Sequence, residues 1–157
     1  MALIMNKIFV EIQRTNSDNP DFRELIHCLD QDLAEKDGKA HIYYSRFNKI
    51  DKIKHAVVAY INAKPVGCGG LKVHKPGTME IKRMYVLPES RGKGIAIRVL
   101  EELENWAREL SCNRCILETG KKQPEATALY KKSGYEPMPN YGQYANVENS
   151  LCFEKTI

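Results

Sequence analysis

The stretch from Met79 to Leu110 constrains the fold of this chain most strongly, because it joins a strand pattern to a helix pattern. Its first part mixes β-branched, aromatic and Met residues and stops at Pro88, which predicts a strand. In its last part apolar residues recur every three or four positions, which predicts one buried helical face: Ile95, Val99, Leu103, Trp106 and Leu110. A strand followed by a long amphipathic helix indicates a domain in which helices cover a sheet.

The turn between this strand and helix is basic and contains two glycines, Gly92 and Gly94, beside Arg91 and Lys93. The first N–H groups of a helix lack intrahelical partners, and the helix dipole adds positive charge there. Glycines lack Cβ, so an anion can approach the backbone closely. The turn therefore predicts a phosphate-binding site, although an ordinary turn with solvated charges is the alternative. The turn is not a P-loop, because Gly94 is followed by Ile95 and not by Lys and Ser or Thr. It is not a dinucleotide fingerprint either, because the third glycine of that motif is missing.

Residues 91–96 resemble the [RQ]-x-x-G-x-[GA] signature of the GNAT superfamily of N-acetyltransferases. The resemblance implies that acetyl-CoA is the co-substrate and that the turn binds its pyrophosphate. The pyrophosphate-binding residues would be Arg91, Gly92, Lys93, Gly94, Ile95 and Ala96. The pantetheine arm would be held by backbone groups of the preceding strand, at Met84, Tyr85 and Val86.

A second block, residues 123–135, reads QPEATALYKKSGY and resembles the family signature N-x-x-A-x-x-[LF]-Y-x-[KR]-x-G-[FY]. The resemblance makes Tyr130 the donor of a proton to the leaving thiolate, a role that suits a phenol with an ordinary pKa near ~10. The alternative is a buried aromatic ring that only packs. Gln123 stands where the signature has Asn, so its contact with the cofactor is an open point.

Glu80 lies eleven residues before Arg91, a spacing at which some GNAT enzymes carry a general base that acts directly or through water. An amine must lose its proton before it attacks a thioester carbonyl, so the role makes chemical sense. The alternative is a surface carboxylate paired with Lys82 or Arg83. Strict alternation would place Glu80, Lys82 and Met84 on one face, unless a bulge of the kind usual in this family changes the register.

The acceptor site is harder to predict. Residues 40–54 are rich in aromatic and basic side chains, and they suit either a short helix or one wall of the acceptor site, where Arg46 could bind a carboxylate. Tyr141 and Tyr144 lie in a polar segment that is either a pocket wall or an exposed connector. These residues favour a small polar amine as acceptor, while amino acids, antibiotics and protein lysines or N-termini stay open. A non-catalytic acyl-CoA-binding module is the competing function.

The rest of the chain predicts a mixed, mostly antiparallel sheet, an α/β (α+β) fold in one domain spanning 1–157. The further predicted elements are a strand over Lys7–Arg14, a helix from Pro20 to near Gly38, strands over Ala56–Ile61, Pro65–Leu71 and Arg114–Thr119, a helix from Pro124 to Gly134, and a closing strand over Leu151–Ile157. Three glycines at 67, 69 and 70 predict a bulge or a close approach to the backbone.

Composition limits the remaining function classes. The net charge is +4, but the basic residues are dispersed rather than concentrated, so we expect no nucleic-acid partner. The five cysteines show no zinc-binding spacing, so we expect no metal. No apolar run is long enough for a membrane span or a signal peptide, so we expect a cytoplasmic protein without a membrane partner. A homodimer is compatible with the sequence.

Overall fold

A computed structural model of the protein describes residues 8–37 and 53–157. Its main elements, in chain order, are β1 (Val10–Thr15), α1 (Pro20–Asp37), β2 (His55–Ile61), β3 (Lys64–Lys75), β4 (Thr78–Val86), α2 (Ile95–Glu109), β5 (Arg114–Gly120), α3 (Pro124–Lys132), β6 (Glu136–Met138) and β7 (Ser150–Thr156). Short 3-10 turns cover Pro88–Ser90 and Gly142–Tyr144. None of the helices in the described ranges is long and apolar enough to cross a membrane.

The strands of the described residues form a seven-stranded sheet in the order β1-β2-β3-β4-β5-β7-β6. Neighbouring strands are antiparallel except β4 and β5, which are parallel and are connected through α2. A parallel pair needs a crossover of this kind, because a tight turn can only reverse the chain. The predicted mixed, mostly antiparallel sheet with flanking helices is confirmed.

Helices cover both faces of the sheet, as the alternation of its strands requires. On one face, α1 packs Phe22 and Ile26 against β2 and β3. On the other, α2 packs Val99 and Leu103 against a second core cluster that includes Met79 and Ile81 of β4, and residues of α3 pack there too. Because successive side chains of a strand point to opposite faces, Glu80, which stands between Met79 and Ile81, is directed towards the α1 face.

Several boundaries differ from the predicted ones. β1 begins at Val10 rather than Lys7, and the side chains of Ile8 and Phe9 are exposed. β3 continues to Lys75, because the turn into β4 needs only two residues and Gly77 adopts a left-handed φ of +83°. The short helix predicted within residues 40–54 falls almost wholly in residues 38–52, outside the described residues.

Side chains approach the glycines of β3 closely, as predicted. A Cβ on Gly69 would lie 2.5 Å from Met84 Sδ, and a Cβ on Gly67 would lie 2.9 Å from Ile95 Cγ2. Both distances are shorter than van der Waals contact, so a larger residue would displace the side chains that join β3 to β4 and α2.

β4 contains a bulge at Arg83 and Met84. Cys68 of β3 pairs with Tyr85, whereas Gly70 pairs with Lys82, so β4 has an extra residue over this interval. Arg83 accommodates the bulge with a left-handed φ of +61°. Consequently Met84 packs against the α2 cluster and Tyr85 against the α1 cluster, so Met84 does not share the face of Glu80 and Lys82 that strict alternation predicted.

Candidate active site

A cleft opens where β4 and β5 separate. The two strands pair only between Thr78–Ile81 and Arg114–Leu117, after which β4 continues beside β3 and β5 continues beside β7. The cleft has a volume of about 120 Å³. Side chains and backbone from α1, β4, β5, α3 and the segment before β7 line it: Leu29, Leu33, Glu80, Lys82, Arg83, Met84, Glu118, Thr119, Gly120, Gln123, Ala126, Tyr130 and Tyr144.

Glu80 lies on β4 at the point of separation and is only 5% exposed. The hydroxyl of Tyr141 donates a hydrogen bond of 2.7 Å to its Oε2. The Nζ of Lys82 lies 3.9 Å from its Oε1, an ion pair too long for a hydrogen bond. Burial lowers the pKa of Lys82, and the neighbouring Glu80 carboxylate partly offsets that shift. The alternative interpretation of Glu80 as a surface carboxylate is wrong about its location, because the side chain is buried, but the pairing with Lys82 that it named is present.

Tyr130 reaches the same cleft from α3, and its side chain is 7% exposed. Burial raises the pKa of its phenol, and the Glu118 carboxylate raises it further. The hydroxyl therefore keeps its proton throughout the neutral range and is available as a donor. The Tyr130 ring belongs to the core cluster on the α2 face, whereas Glu80 alternates towards the α1 face, and both line the cleft where the strands separate.

Tyr141 and Tyr144 lie at or beside the 3-10 turn between β6 and β7 and pack edge-on, with ring centroids 5.7 Å apart. Tyr144 is buried and lines the cleft, and Tyr141 also contacts the ring of His74 at 5.2 Å. Burial raises the pKa of both phenols, and the Glu80 carboxylate adds to the shift at each. The segment is therefore a wall beside Glu80, whereas Arg46, the third residue predicted for the acceptor, lies outside the described residues.

The turn from Arg91 to Gly94 is exposed and leads directly into α2. Gly92 and Gly94 adopt left-handed φ angles of +79° and +77°, and no atom lies within 4 Å of a Cβ built on either of them. Gly94 is the N-cap of α2 and provides no side-chain cap, and its carbonyl accepts a hydrogen bond from the Arg98 N–H. An open, positively charged helix start with room at both glycines fits a pyrophosphate. The predicted Lys93, Ile95 and Ala96 belong to this turn or the first turn of α2, and Ile95 is buried beneath it.

The end of β4 has a free backbone edge towards the cleft. Tyr85 and Val86 pair with β3 on one side, but within the described chain β4 has no strand partner on the other side after Ile81. The guanidinium Nε of Arg91 donates to the Val86 carbonyl at 2.9 Å, and the same group lies 5.6 Å from the Tyr85 ring centroid. Beyond Ile81 the edge of β4 opposite β3 therefore lacks a strand partner in the described chain, and an amide-bearing chain such as a pantetheine arm can pair with an edge of this kind.

Gln123 precedes the first residue of α3, where it is half-buried and lines the cleft. Two further polar features of the cleft wall were not predicted. Glu118 of β5 lines the cleft, and it could have been found as a carboxylate that directly follows the apolar run 115–117 in a predicted strand. Arg83 donates to Asp30 of α1 at 2.9 Å, a contact that depends on the bulge and has no local sequence signature. No cluster of potential metal ligands occurs in residues 8–37 or 53–157.

Comparison with known proteins gives consistent results. The model of the acetyltransferase (GNAT) family matches residues 16–135. An IAA acetyltransferase from Azospirillum brasilense is 37% identical over 102 residues, which cover 64% of this chain and 67% of that protein. A Klebsiella pneumoniae structure assigned as an acyl-CoA N-acyltransferase has a TM-score of 0.77 at 27% identity, covering 94% of this chain and 97% of that one. PaiA N-acetyltransferase from Thermoplasma acidophilum, solved with coenzyme A, has a TM-score of 0.67 at 19% identity over 96% of this chain and all of that one (100%), which shows a shared fold.

Proposed function

The chain belongs to the GNAT family of acetyltransferases and is an acetyl-CoA-dependent N-acetyltransferase, and from that premise we propose that it acetylates the primary amine of a small molecule. One observation carries the proposal: Glu80 and Tyr130 line a single cleft, one on β4 and one on α3, where β4 and β5 separate. A base for the amine and an acid for the sulfur are the two groups that this transfer requires.

We assign the base to Glu80, acting directly or through an ordered water molecule. An alkylamine is almost wholly protonated at neutral pH, so its nitrogen must lose a proton before its lone pair can attack. Tyr141 holds one carboxylate oxygen at 2.7 Å and so orients the group. The other oxygen is 3.9 Å from Lys82 Nζ, which leaves it free of a short hydrogen bond from that lysine and able to receive the amine proton.

Acetyl-CoA supplies an activated acetyl thioester. We assign its pyrophosphate to Arg91–Ala96 and its pantetheine arm to the free edge of β4 at Met84, Tyr85 and Val86, with Gln123 contributing from the start of α3. N–H groups on that edge would polarise the thioester carbonyl and stabilise negative charge developing on its oxygen.

The proton balance assigns the acid to Tyr130. The amine nitrogen forms a bond to the acetyl carbon, the carbon–sulfur bond breaks, and the electron pair goes to sulfur. Tyr130 donates its hydroxyl proton to that sulfur. The attacking nitrogen becomes positively charged when it bonds to the acetyl carbon and then releases its second proton, which restores the phenol. Glu80 passes the first amine proton to solvent, so the products are the N-acetyl amine, the coenzyme A thiol and one proton. No enzyme nucleophile is needed, and the cysteines of the described chain are buried or half-buried without a role in this step.

The size of the cleft supports a small acceptor. Its volume is about 120 Å³, and Glu80 at its floor is 95% buried, so a compact group reaches the base more readily than a protein surface would. Glu80 and Glu118 line the cleft together with Lys82 and Arg83, so the two signs of charge balance there, and the buried Glu80 carboxylate is the group that would bind an ammonium. Tyr141 and Tyr144 are the residues that we expect to contact the acceptor.

Calorimetric titration with acetyl-CoA, followed in the same sample by thiol release with a panel of small amines and a lysine-containing peptide, tests the proposal. We expect micromolar binding and turnover on small amines with little on the peptide. Turnover on the peptide alone would replace the small acceptor with a protein one. Binding without turnover on any amine would favour the non-catalytic acyl-CoA-binding module, and absence of binding would contradict the assignment of the turn.

A further inference from the structure

A second polar network, remote from the acceptor wall, lies behind Tyr130. Glu104 of α2 is 3% exposed, and its two carboxylate oxygens accept hydrogen bonds from different groups. The Tyr135 hydroxyl donates to Oε2 at 2.8 Å, and the Lys155 Nζ donates to Oε1 at 2.9 Å. The three residues come from α2, the chain after α3, and β7, so the network joins three separate elements.

Burial makes this network costly unless every member is paired. A carboxylate that is removed from water loses several kcal/mol of hydration, and here both of its oxygens regain a hydrogen bond. The Lys155 ammonium also lies 5.7 Å from the Tyr135 ring centroid, and its side chain passes Gly134 so closely that a Cβ there would lie 3.4 Å from Lys155 Cε. The hydroxyl and the ring of Tyr135 are therefore each held in one position.

Tyr135 in turn fixes Tyr130 by two contacts. Its backbone N–H donates to the Tyr130 carbonyl at 3.0 Å, at the end of α3. Its ring packs edge-on against the Tyr130 ring, with centroids 5.9 Å apart and planes at 67°. α3 is only nine residues long, so its orientation depends on such contacts rather than on intrinsic helix stability.

We infer that Glu104, Tyr135 and Lys155 are positioning residues that hold the Tyr130 ring so that its hydroxyl points at the leaving sulfur. None of the three is among the residues that line the cleft, and their contacts run to one another and to Tyr130, so we assign them a role that acts through Tyr130. The inference rests on the proposed role of Tyr130 as the acid. Misplacement of a reacting group by about 1 Å can cost up to roughly 100-fold in rate, so even a small rotation of this ring matters.

A double-mutant cycle with Tyr130→Phe and Tyr135→Phe tests it. Tyr135→Phe removes one hydroxyl and keeps the ring, and we expect kcat to fall about tenfold while KM for acetyl-CoA changes less than about twofold. In the Tyr130→Phe background the same change should lower kcat by less than about twofold, because the group it positions is already absent.

The matched control is Tyr60→Phe. Tyr60 is also buried, and its hydroxyl donates to the Asp21 carboxylate at 2.7 Å, but it belongs to the α1 cluster away from α3. We expect this variant to keep the parental kcat. An equal loss from Tyr135→Phe in both backgrounds would overturn the positioning role and leave the acid in place. If Tyr130→Phe alone kept full kcat, the acid assignment would fail, and this inference with it.

A pair of substitutions at Lys155 keeps the test independent of the aromatic residues. Lys155→Met removes the second donor to Glu104 and should lower kcat several-fold, whereas Lys155→Arg should restore it to within about twofold, because the guanidinium can still donate to the carboxylate. Thermal unfolding of each variant shows that it folds. A lower melting temperature with unchanged kcat in Lys155→Met would mean that the network only stabilises the fold.

Discussion

Glu80 and Glu104 are both buried, and each lies beside one tyrosine and one lysine. The two sites differ in the distance from the carboxylate to the lysine. Each accepts a hydrogen bond from a tyrosine hydroxyl, Tyr141 at 2.7 Å for Glu80 and Tyr135 at 2.8 Å for Glu104. Each also has a lysine beside its other oxygen. Lys155 is at hydrogen-bond distance from Glu104, 2.9 Å, whereas Lys82 is 3.9 Å from Glu80.

That difference of about an ångström distinguishes a carboxylate with short hydrogen bonds at both oxygens from the one that we propose as the base. Glu104 has a short hydrogen bond at both oxygens and lies between packed elements, so it contributes to stability and is closed to other partners. Glu80 lines the open cleft, and its lysine stands too far away to saturate it. The same three residue types therefore make a fixed contact in the core and a candidate base at the separated strands.

The comparison predicts its largest effect for the Glu80→Gln variant, in which catalysis should be impaired. We expect kcat/KM for the amine to fall about 100- to 1,000-fold, because a carboxamide cannot accept the amine proton. Thiol release measures the change, and the activity that remains should increase with pH as more of the amine becomes deprotonated in solution. Glu118→Gln, which removes the same charge from the same cleft, is the control and should lose less than about tenfold. Equal losses in both variants would contradict the assignment of the base.

The second-largest effect is a loss of stability in the Glu104→Gln variant. We expect its free energy of unfolding to fall by about 1–3 kcal/mol, because Lys155 loses its charged partner and a buried donor or acceptor loses its hydrogen bond. Urea unfolding measures this value. Glu80→Gln should change it by less than about 1 kcal/mol in either direction, since its pairing is incomplete. If Glu80→Gln proved the more destabilising, the contrast between the two glutamates would be wrong.

A smaller effect is predicted for Tyr141→Phe. Without the hydroxyl, the Glu80 carboxylate loses the hydrogen bond that orients it, and we expect kcat to fall about five- to tenfold. The melting temperature should change little, because the ring keeps its contacts with His74 and Tyr144. Tyr60→Phe again serves as the matched control, and a Tyr141→Phe variant with parental kcat would remove Tyr141 from the site.

The smallest effect is the pH dependence of stability. Burial raises the pKa of Tyr135 and Tyr141, and the pKa of Tyr60 is raised to about 12, so these phenols keep their protons in the folded chain. Tyrosines of the unfolded chain have pKa values near ~10, so above that pH the folded state binds more protons and the free energy of unfolding falls as pH rises. Each such tyrosine contributes about half a kcal/mol of this loss at pH 10.

Urea unfolding at pH 8 and pH 10 measures that loss. Tyr135→Phe and Tyr141→Phe should each reduce the difference between the two pH values by that amount, about half a kcal/mol. If the difference in unfolding free energy between pH 8 and pH 10 stayed the same in Tyr135→Phe, the pKa of Tyr135 would not be raised in the folded chain as its burial and its contact with Glu104 imply.

Local patterns made much of the fold predictable. The helix over Ile95–Glu109, the strand over Arg114–Gly120 and the helix that starts at Pro124 follow from periodicity and from proline placement within a few residues. The turn at Gly92 and Gly94 was predictable because both glycines adopt the left-handed conformation that such a turn needs. The family resemblance is confirmed by the match over residues 16–135.

Contacts between distant segments were less predictable. Tyr141 was only one of several polar residues in its segment until the fold brought it 2.7 Å from a carboxylate 61 positions earlier. Arg83 carries no local signature for a left-handed φ, and the bulge that it makes decides which face Met84 and Tyr85 occupy. Glu104 had the spacing of an ordinary solvent-facing helix residue, yet it is buried beneath Tyr135 and Lys155.

The sequence by itself determined the elements, the open helix start at Arg91–Gly94 and the chemical types of the residues in the site, because propensity, glycine placement and charge act over a few neighbouring residues. Only the tertiary structure decided that β4 and β5 separate after Ile81 and Leu117, and that Glu80 and Tyr130 line the same cleft there. It also decided which of two similar glutamates is saturated. Strand separation and hydrogen-bond saturation depend on distances between segments far apart in the chain, and no local pattern specifies those distances.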